Sequence, residues 1–272
     1  MDNGKMFEIN REAWNEATAY HQKARKSSLQ IGFANPDFTT LNRNCDEVMI
    51  EKLEKIGLEG KTIAQLPCNN GRELLSLMRF GATKVIGFDI SDVAIAEAKE
   101  LAEISGLNAE FERTNILDIG QEYNGYFDFI YISEGSLQWF GDLDAYFAVV
   151  SRLLKPEGII LIYEIHPLAY LLELASSDEK RIFNGVISYF EKGPYSYRDG
   201  LDYIGGTTYK AKKCYWFMHK MSDIMNAILQ NSMQIEEFSE YNMEMANNPQ
   251  VVGLSKLPLS YILTGKKAVY GK

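Results

Sequence analysis

A loop that follows a predicted β-strand carries the first residues suited to ligand binding. The strand is predicted at 62–66, and the segment from Gln65 reads Gln-Leu-Pro-Cys-Asn-Asn-Gly before a predicted helix begins. A helix N-terminus offers free backbone N–H groups, and Gly71 leaves room for a ligand to approach the backbone closely. The loop is therefore a candidate binding segment.

A carboxylate stands at the end of the next predicted strand, 84–89. Asp89 lies 18 residues after Gly71. A carboxylate at the tip of the second strand, about 20 residues beyond a glycine loop, is the usual partner of ribose hydroxyls. The two elements together predict binding of a cofactor that contains a nucleoside.

Three histidines are candidates for proton transfer. His166 follows a strand predicted at 159–165 and should face the crevice at the carboxyl ends of the strands, or else it orders the loop before Pro167. His21, on a predicted N-terminal helix, meets a substrate if that helix caps the cofactor and otherwise lies at the surface. His219 is expected to be structural. His166 and His21 are thus the catalytic candidates, and we expect His166→Ala to lower turnover while leaving cofactor affinity nearly unchanged.

Short apolar runs alternate with amphipathic helices from Lys61 onward. This alternation implies βαβ units and hence a parallel sheet. Two later strand-like runs have no long helix between them and are expected to pair antiparallel at the sheet edge. We therefore predict an α/β fold, a Rossmann-like seven-stranded, mostly parallel sheet with an antiparallel C-terminal strand pair. The predicted strands are 62–66, 84–89, 109–113, 127–132, 159–165, 234–240 and 259–265.

The chain divides into three predicted parts. Residues 1–60 form an N-terminal helical cap, and residues 61–166 with 218–272 form the core. Residues 167–217 are too long for an ordinary loop and hold ten aromatic residues between Phe183 and Phe217. This insertion is either an extra β-hairpin packed on the core or a lid with an aromatic wall that contacts substrate, and both can hold at once.

Composition disfavours several classes of partner. The net charge of −9, from 37 acidic and 28 basic side chains, would repel a nucleic acid. No apolar run approaches the roughly 20 residues that cross a bilayer, and no secretory signal is apparent at the N-terminus. The three cysteines are widely spaced, which favours reduced thiols and a cytoplasmic location. The oligomeric state is left open.

The segment from Lys61 to Pro167 resembles the class I S-adenosylmethionine-dependent methyltransferases. In that family the first strand and loop read approximately Asp-x-Gly-x-Gly-x-Gly. Here Gln65 takes the acidic position, Pro67 and Asn69 take the first two glycines, and Gly71 is retained. A glutamine can accept the hydrogen bond that the acidic residue takes from the methionyl ammonium, but without the charge. The Leu-x-Cys-x-x-Gly form of this loop is similar to a bacterial small-molecule subgroup.

The resemblance implies S-adenosylmethionine as cofactor, S-adenosylhomocysteine as product, and a role for each matching position. Asp89 would take the ribose hydroxyls and Ile90 would pack on adenine. Asn115 would read the adenine edge, while Ser133 and Glu134 would line the methionyl side and the substrate mouth. The full set of implied cofactor-binding residues is Tyr20, Gln65, Pro67, Cys68, Asn69, Gly71, Asp89, Ile90, Asn115, Ile116, Ser133 and Glu134.

The expected reaction is methyl transfer to a small-molecule acceptor by in-line displacement, which needs alignment and exclusion of water. A general base is needed only if the nucleophile arrives protonated. No metal-ligand spacing occurs, so no metal site is predicted. Two alternatives remain. An NAD(P)-dependent oxidoreductase is disfavoured because Pro67 lacks an N–H and Asn69 crowds the turn that a pyrophosphate needs. A non-catalytic S-adenosylmethionine-binding protein would account for the departures at Gln65 and Pro67.

Overall fold

The computed structural model describes residues 3–41, 43–175, 188–198, 200–242 and 256–269. The helices are α1 (Asn3–Arg25), α2 (Ser28–Phe33), α3 (Arg43–Ile56), α4 (Arg72–Leu77), α5 (Asp92–Ser105), α6 (Leu143–Leu153), α7 (Pro167–Ala175) and α8 (Met221–Gln230). The strands are β1 (Thr62–Gln65), β2 (Lys84–Asp89), β3 (Ala109–Arg113), β4 (Phe127–Ile132), β5 (Leu154–Ile165), β6 (Tyr195–Tyr197), β7 (Cys214–Trp216), β8 (Met233–Tyr241) and β9 (Ser260–Lys267). None of these helices combines the length and apolar character that a bilayer crossing requires.

Seven strands form one sheet in the order β3-β2-β1-β4-β5-β9-β8. Strands β1 to β5 pair in parallel, whereas β9 pairs antiparallel with both β5 and β8. The predicted α/β fold with its antiparallel C-terminal pair is thus confirmed. The strand order reverses between β1 and β4, and such a reversal opens a crevice at the carboxyl ends of the strands.

Both faces of the sheet are buried at its centre, which explains why strands β4 and β5 contain nearly continuous apolar runs. Successive residues of β4 alternate between two hydrophobic clusters. Ile130 packs in the cluster that includes residues of α6 and α8. Phe129 packs in the cluster that includes residues of α3, α4 and α5. The sheet therefore forms the middle of three layers.

Side-chain caps fix where two helices begin beside the crevice. The hydroxyl of Ser91 accepts a hydrogen bond from the Ala94 N–H at 3.1 Å and begins α5 directly after β2. The carboxylate of Asp142 accepts from the Ala145 N–H at 3.0 Å and begins α6. Such caps satisfy backbone donors that a helix leaves unpaired.

Helix α1 crosses the carboxyl end of β1. The Asn15 side chain bonds the Ser91 hydroxyl at 2.7 Å, in the loop after β2. The Trp14 ring lies edge-on to Trp139, in the loop after β4, with ring centroids 5.3 Å apart. Because β1 lies between β2 and β4 in the sheet, a helix that contacts both flanking loops must pass over the end of β1. The N-terminal segment is therefore helical as predicted, and α1 lies over the crevice.

The insertion contains the expected hairpin, formed by β6 and β7 in antiparallel register. The hairpin packs on α1 through Asn10, whose side chain donates to the Tyr215 carbonyl at 2.8 Å and accepts from the Tyr215 N–H at 2.7 Å. The Phe217 N–H donates to the Gln138 carbonyl at 2.8 Å, in the loop after β4. We call α1 together with residues 188–198 and 200–217 the cover; Phe183, which begins the predicted aromatic run, lies outside the described residues.

Replacement of Asn10 by alanine tests how the cover is held together. We expect Asn10→Ala to lower the free energy of unfolding by about 2 kcal/mol, since it leaves both buried backbone groups of Tyr215 without partners. Urea denaturation followed by circular dichroism measures this difference. The control is Lys5→Ala, an exposed position on the same helix, where we expect a change within about 0.5 kcal/mol. An equal effect of the two substitutions would contradict the proposed anchoring.

Candidate functional site

The side chain of Gln65 joins the two strands between which the sheet order reverses. Its Nε2 donates to the Ser133 hydroxyl at 2.9 Å, directly after β4, and to Oε2 of Glu73 at 2.9 Å. Gln65 is buried, and its Oε1 has no hydrogen-bond partner among the described residues. A buried acceptor without a partner is costly. The site therefore offers one oxygen to an N–H donor of a ligand.

Glu73 restores the charge that Gln65 lacks, and the sequence analysis did not find it. It lies in the first turn of α4, where a carboxylate interacts favourably with the positive end of the helix dipole. The bond to Gln65 spans eight residues and depends on where two side chains point. The signal in the sequence was an acidic residue two positions after Gly71.

Asp89 holds the loop after β1 against the start of α5. Its Oδ2 accepts from the Asn69 N–H at 2.9 Å and its Oδ1 accepts from the Ser91 N–H at 2.9 Å. Burial raises the pKa of the Asp89 carboxyl, and these backbone bonds partly oppose that shift. The structure thus brings together the two elements, the loop and Asp89, that were predicted to form one nucleoside site.

Gly71 is required in this loop for a different reason from the ligand access that the sequence analysis expected. Gly71 has a φ of 71°, and a Cβ there would lie 2.5 Å from the ring of Phe111. Glycine is required because the backbone is left-handed and touches a side chain of β3, rather than to leave space for a ligand.

Cys68 is buried, and burial raises the pKa of its thiol well above the usual value. Pro67 follows a cis peptide bond in the same loop.

The turn after β3 lies beside Asp89, since the Thr114 N–H donates to the Asp89 carbonyl at 2.9 Å. Asn115 caps this turn: its side-chain oxygen accepts from the Leu117 N–H at 3.3 Å. Ile116 is 3% exposed and packs in the core with Phe88 and Phe147 on the α6 side of the sheet. Its side chain therefore belongs to the core, which corrects its assignment to the cofactor site. Ile90 is half-buried directly after Asp89.

His21 is buried, which excludes the surface position that was one of its two alternatives. Its Nε2 donates to the Leu201 carbonyl at 2.8 Å and lies 3.8 Å from Oδ1 of Asp202. Burial lowers the pKa of the imidazole. The neighbouring Tyr20 stacks on Tyr209 with ring centroids 4.1 Å apart. The sequence-predicted pair Tyr20 and His21 thus contacts the insertion, and these contacts join the two parts of the cover.

His166 orders the beginning of α7, the alternative left open by the sequence. Its Nδ1 accepts from the Leu168 N–H at 3.1 Å, and its Nε2 lies 3.0 Å from Oε1 of Glu240. Burial lowers the pKa of His166, and Glu240 opposes that shift. The imidazole therefore faces β8 rather than the β1–β4 crevice, and its Nε2 lies near the Glu240 carboxylate without a hydrogen-bond partner among the described residues. His219 is structural as predicted, since its Nε2 donates to the Phe140 carbonyl at 2.8 Å.

Charged groups surround Tyr203, a residue of the cover. Its side chain is 57% exposed, and its ring centroid lies 4.6 Å from that of His21. The protein around it desolvates the hydroxyl and raises its pKa; Arg72 opposes this, and Glu73 and Glu134 add to it. Because these charges act on its hydroxyl, Tyr203 lies near the residues that follow β1 and β4.

Arg25 approaches the same region from α1. Its guanidinium donates to Glu97 at 3.0 Å, while its buried Nε has no hydrogen-bond partner among the described residues. Burial lowers the pKa of Arg25, Glu97 opposes that shift, and nearby Arg72 adds to it. Two positive groups thus lie close together near the N-terminus of α4. Within the described ranges, no three metal-binding side chains come together.

Solved structures share this fold. An S-adenosylmethionine-dependent methyltransferase from Mesorhizobium loti is 16% identical, with a TM-score of 0.56, and the alignment covers 82% of this chain and 98% of that one. Geranyl diphosphate C-methyltransferase from Streptomyces coelicolor A3(2), solved with S-adenosylhomocysteine, is also 16% identical. Its TM-score is 0.55, and the alignment covers 82% of this chain and 78% of that one. These likenesses show that the chain shares its fold with S-adenosylmethionine-dependent methyltransferases.

A family model described as a methyltransferase domain matches residues 59–231, more than half of the chain. The chain belongs to this methyltransferase-domain family, and the predicted class, enzyme type and cofactor are confirmed. The ribosomal protein L11 methyltransferase of Aliivibrio fischeri is 35% identical over 75 residues, which are 28% of this chain. The matched segment spans about a quarter, 26%, of that relative.

A second carboxylate introduced at position 65 tests the contact between Gln65 and Glu73. We expect Gln65→Glu to lower the melting temperature at pH 8 by about 5 °C, because two carboxylates at this distance cannot both ionise without cost. The shared site then has one raised pKa, so its contribution to stability is present at low pH and is lost as the pH rises through that value. Scanning calorimetry at pH 5 and pH 8 measures the loss.

The double variant Gln65→Glu/Glu73→Gln supplies the matched control, since it moves the carboxylate without adding one. We expect its melting temperature to return to within about 2 °C of the wild type. A loss of the same size at both pH values, or a double variant as unstable as the single one, would show that the two side chains do not interact.

Proposed function

We propose that this chain transfers the methyl group of S-adenosylmethionine to a small-molecule acceptor in the crevice between β1 and β4. The observation that carries the proposal is the cover. Helix α1 passes over the end of β1, and the insertion is attached to it through Asn10, Tyr20 and His21. Because the cover restricts access to the cleft over the end of β1, a small metabolite fits there better than a folded macromolecule does.

The methionyl part of the cofactor would lie beside Gln65. Its ammonium would donate to the unpartnered Oε1 of Gln65, and the carboxylate of Glu73 would supply the negative charge. Arg25 and Arg72 would face its carboxylate, since the Nε of Arg25 has no partner among the described residues. Ser133 keeps Gln65 in place from the β4 side.

The nucleoside part would lie beside Asp89. Both carboxylate oxygens of Asp89 accept backbone N–H bonds, and each retains a lone pair for a ribose hydroxyl. We assign Ile90 to the adenine face and Asn115 to its edge. Pro67, Cys68, Asn69 and Gly71 shape the loop. Because the cofactor carries no phosphate, it does not require the bare glycine turn that this loop lacks.

S-adenosylmethionine supplies a methyl group already activated by a sulfonium. What the protein adds is alignment of the acceptor and exclusion of water. The cover would serve both purposes, with Tyr203 and Glu134 at the mouth of the cleft. In this proposal His21 acts by holding the cover together, and His166 has no part in proton transfer because its imidazole faces Glu240 of β8 rather than the crevice.

The comparisons leave the acceptor to be identified. The Aliivibrio relative is named for ribosomal protein L11, whereas the Streptomyces structure is named for geranyl diphosphate. A net charge of −9 disfavours a nucleic acid. A small-molecule acceptor is supported by the cover, which includes the aromatic side chains Tyr203, Tyr209 and Trp216.

Binding calorimetry with Asp89→Ala tests the cofactor site. We expect S-adenosylhomocysteine to bind the wild type with a micromolar dissociation constant, at least tenfold weaker in the variant because the ribose contact is lost. The matched control, Glu103→Ala on the exposed face of α5, should bind as the wild type does. NADH serves as the competing ligand: binding of NADH alone would favour the oxidoreductase alternative, and binding of neither would contradict the assigned site.

Methyl transfer from radiolabelled S-adenosylmethionine tests the acceptor class. We expect label to enter a product that separates from the labelled donor by chromatography, within the fraction of a bacterial extract below about 1 kDa, because the cover restricts access to the cleft. The same assay with purified ribosomal protein L11 tests the protein alternative. Label in the protein alone would overturn the small-molecule assignment. Turnover on either acceptor would exclude a protein that only binds the cofactor.

A further inference from the structure

Glu164, at the end of β5, carries a carboxylate buried beneath the loop that follows β4. Its side chain accepts hydrogen bonds from three successive backbone N–H groups of that loop, those of Gly135, Ser136 at 2.8 Å and Leu137 at 3.1 Å. A fourth bond comes from the Ile165 N–H at 2.8 Å. Glu164 is 2% exposed. Consecutive N–H groups that converge in this way form an anion-binding concavity, here filled by a side chain of the protein itself.

The loop that Glu164 holds touches both sides of the proposed cofactor site. At its beginning, the Ser133 hydroxyl accepts from Gln65 in the cofactor loop. At its end, the Trp139 ring contacts Trp14 in the cover. The three N–H groups bound by Glu164 lie between these two contacts. One carboxylate thus fixes the segment that joins the cofactor loop to the cover.

The surroundings of Glu164 favour its neutral form. Burial raises its pKa to about 7, although the four N–H bonds oppose the shift. The titratable groups that face it from neighbouring elements are hydroxyls. The Tyr170 hydroxyl of α7 lies 3.5 Å from its Oε1. Burial raises the pKa values of Tyr146 in α6 and Tyr261 in β9, and the nearby charge of Glu164 raises them further. The groups that stabilise the ionised form of Glu164 are therefore the backbone N–H groups that bind it.

We propose that Glu164 is a positioning residue whose ionised carboxylate organises residues 133–139, so that cofactor binding is linked to its deprotonation. This inference rests on the proposed function. A protonated carboxyl accepts fewer hydrogen bonds and carries an O–H that points among N–H donors, which cannot accept it. The loop then loses its anchor, and Ser133 no longer holds Gln65 in place. Affinity for the cofactor is high above about pH 8 and falls as the pH drops through 7.

Calorimetric titration with S-adenosylhomocysteine between pH 5.5 and 8.5 tests the linkage. We expect the wild-type dissociation constant to rise about tenfold between pH 8 and pH 5.5. Binding should release protons, and this release is measured as a binding enthalpy that changes with the ionisation enthalpy of the buffer. Glu164→Gln should bind weakly at every pH, because an amide cannot accept all four bonds. Glu164→Asp, which keeps the carboxylate, should retain the pH dependence with weaker binding. A wild-type affinity that does not change over this range would overturn the linkage.

His166, two residues after Glu164 in the chain, is also a titratable group, so it requires its own control. Glu240→Gln removes the carboxylate beside His166 and leaves Glu164 in place. We expect this variant to follow the wild-type pH profile. Loss of the pH dependence in Glu240→Gln would assign the linkage to the histidine and overturn the proposal.

Amide hydrogen exchange in the ligand-free protein separates this inference from the proposed function. We expect Glu164→Gln to exchange at least tenfold faster than the wild type in peptides that contain residues 135–137, with unchanged exchange in peptides from α5. Equal protection in the two proteins would show that Glu164 does not organise the loop. Faster exchange without binding of S-adenosylhomocysteine by the wild type would instead contradict the proposed function and leave the positioning role standing.

Discussion

The parallel pairing of β1 with β4 is the constraint on which the site depends. Because the sheet order reverses at this pair, the loops that follow the two strands diverge to opposite faces and leave a crevice between them. The Gln65 amide bridges that point through Ser133. Helix α1 spans it from above, and Glu164 supports it from β5. Each contact has its position because the two strands are neighbours in space while far apart in the sequence.

The sequence predicts the parts of this arrangement that depend on local pattern. Strands β2 and β4 have the predicted limits because short runs rich in apolar residues, bounded by turns, are typical of buried parallel strands. Strand β3, at the edge of the sheet, also has the predicted limits, although only Phe111 of its five residues is buried. Asp89 was found because its distance from Gly71 is set by one βαβ unit. By contrast, Glu73 and Glu164 act through side-chain directions and backbone donors that no spacing reveals. His21 was misjudged because its burial depends on where Leu201 returns in space.

The site is organised at a cost to stability. A carboxyl whose pKa is raised from 4.5 to about 7 favours the protonated folded state. Its ionised form therefore costs roughly 3 kcal/mol above neutral pH. That cost increases as the pH rises from 4.5 to 7, and the carboxylate that anchors the loop forms as the pH passes through 7. A buried glutamine or methionine would avoid the cost, so the presence of a carboxylate at position 164 is explained better by the loop it holds than by packing.

The position of β9 in the sheet has a consequence for the order of folding. Strand β8 has no partner in the sheet other than β9, yet β8 precedes β9 in the chain. During synthesis β8 emerges from the ribosome before β9. The backbone N–H and C=O groups of β8 stay without strand partners until residues 260–267 have been translated and have paired with β5. Until then the edge of β5 is also open, and it is an apolar edge able to pair with another chain. Aggregation of a nascent chain is therefore most to be expected while these eight residues are still inside the ribosome.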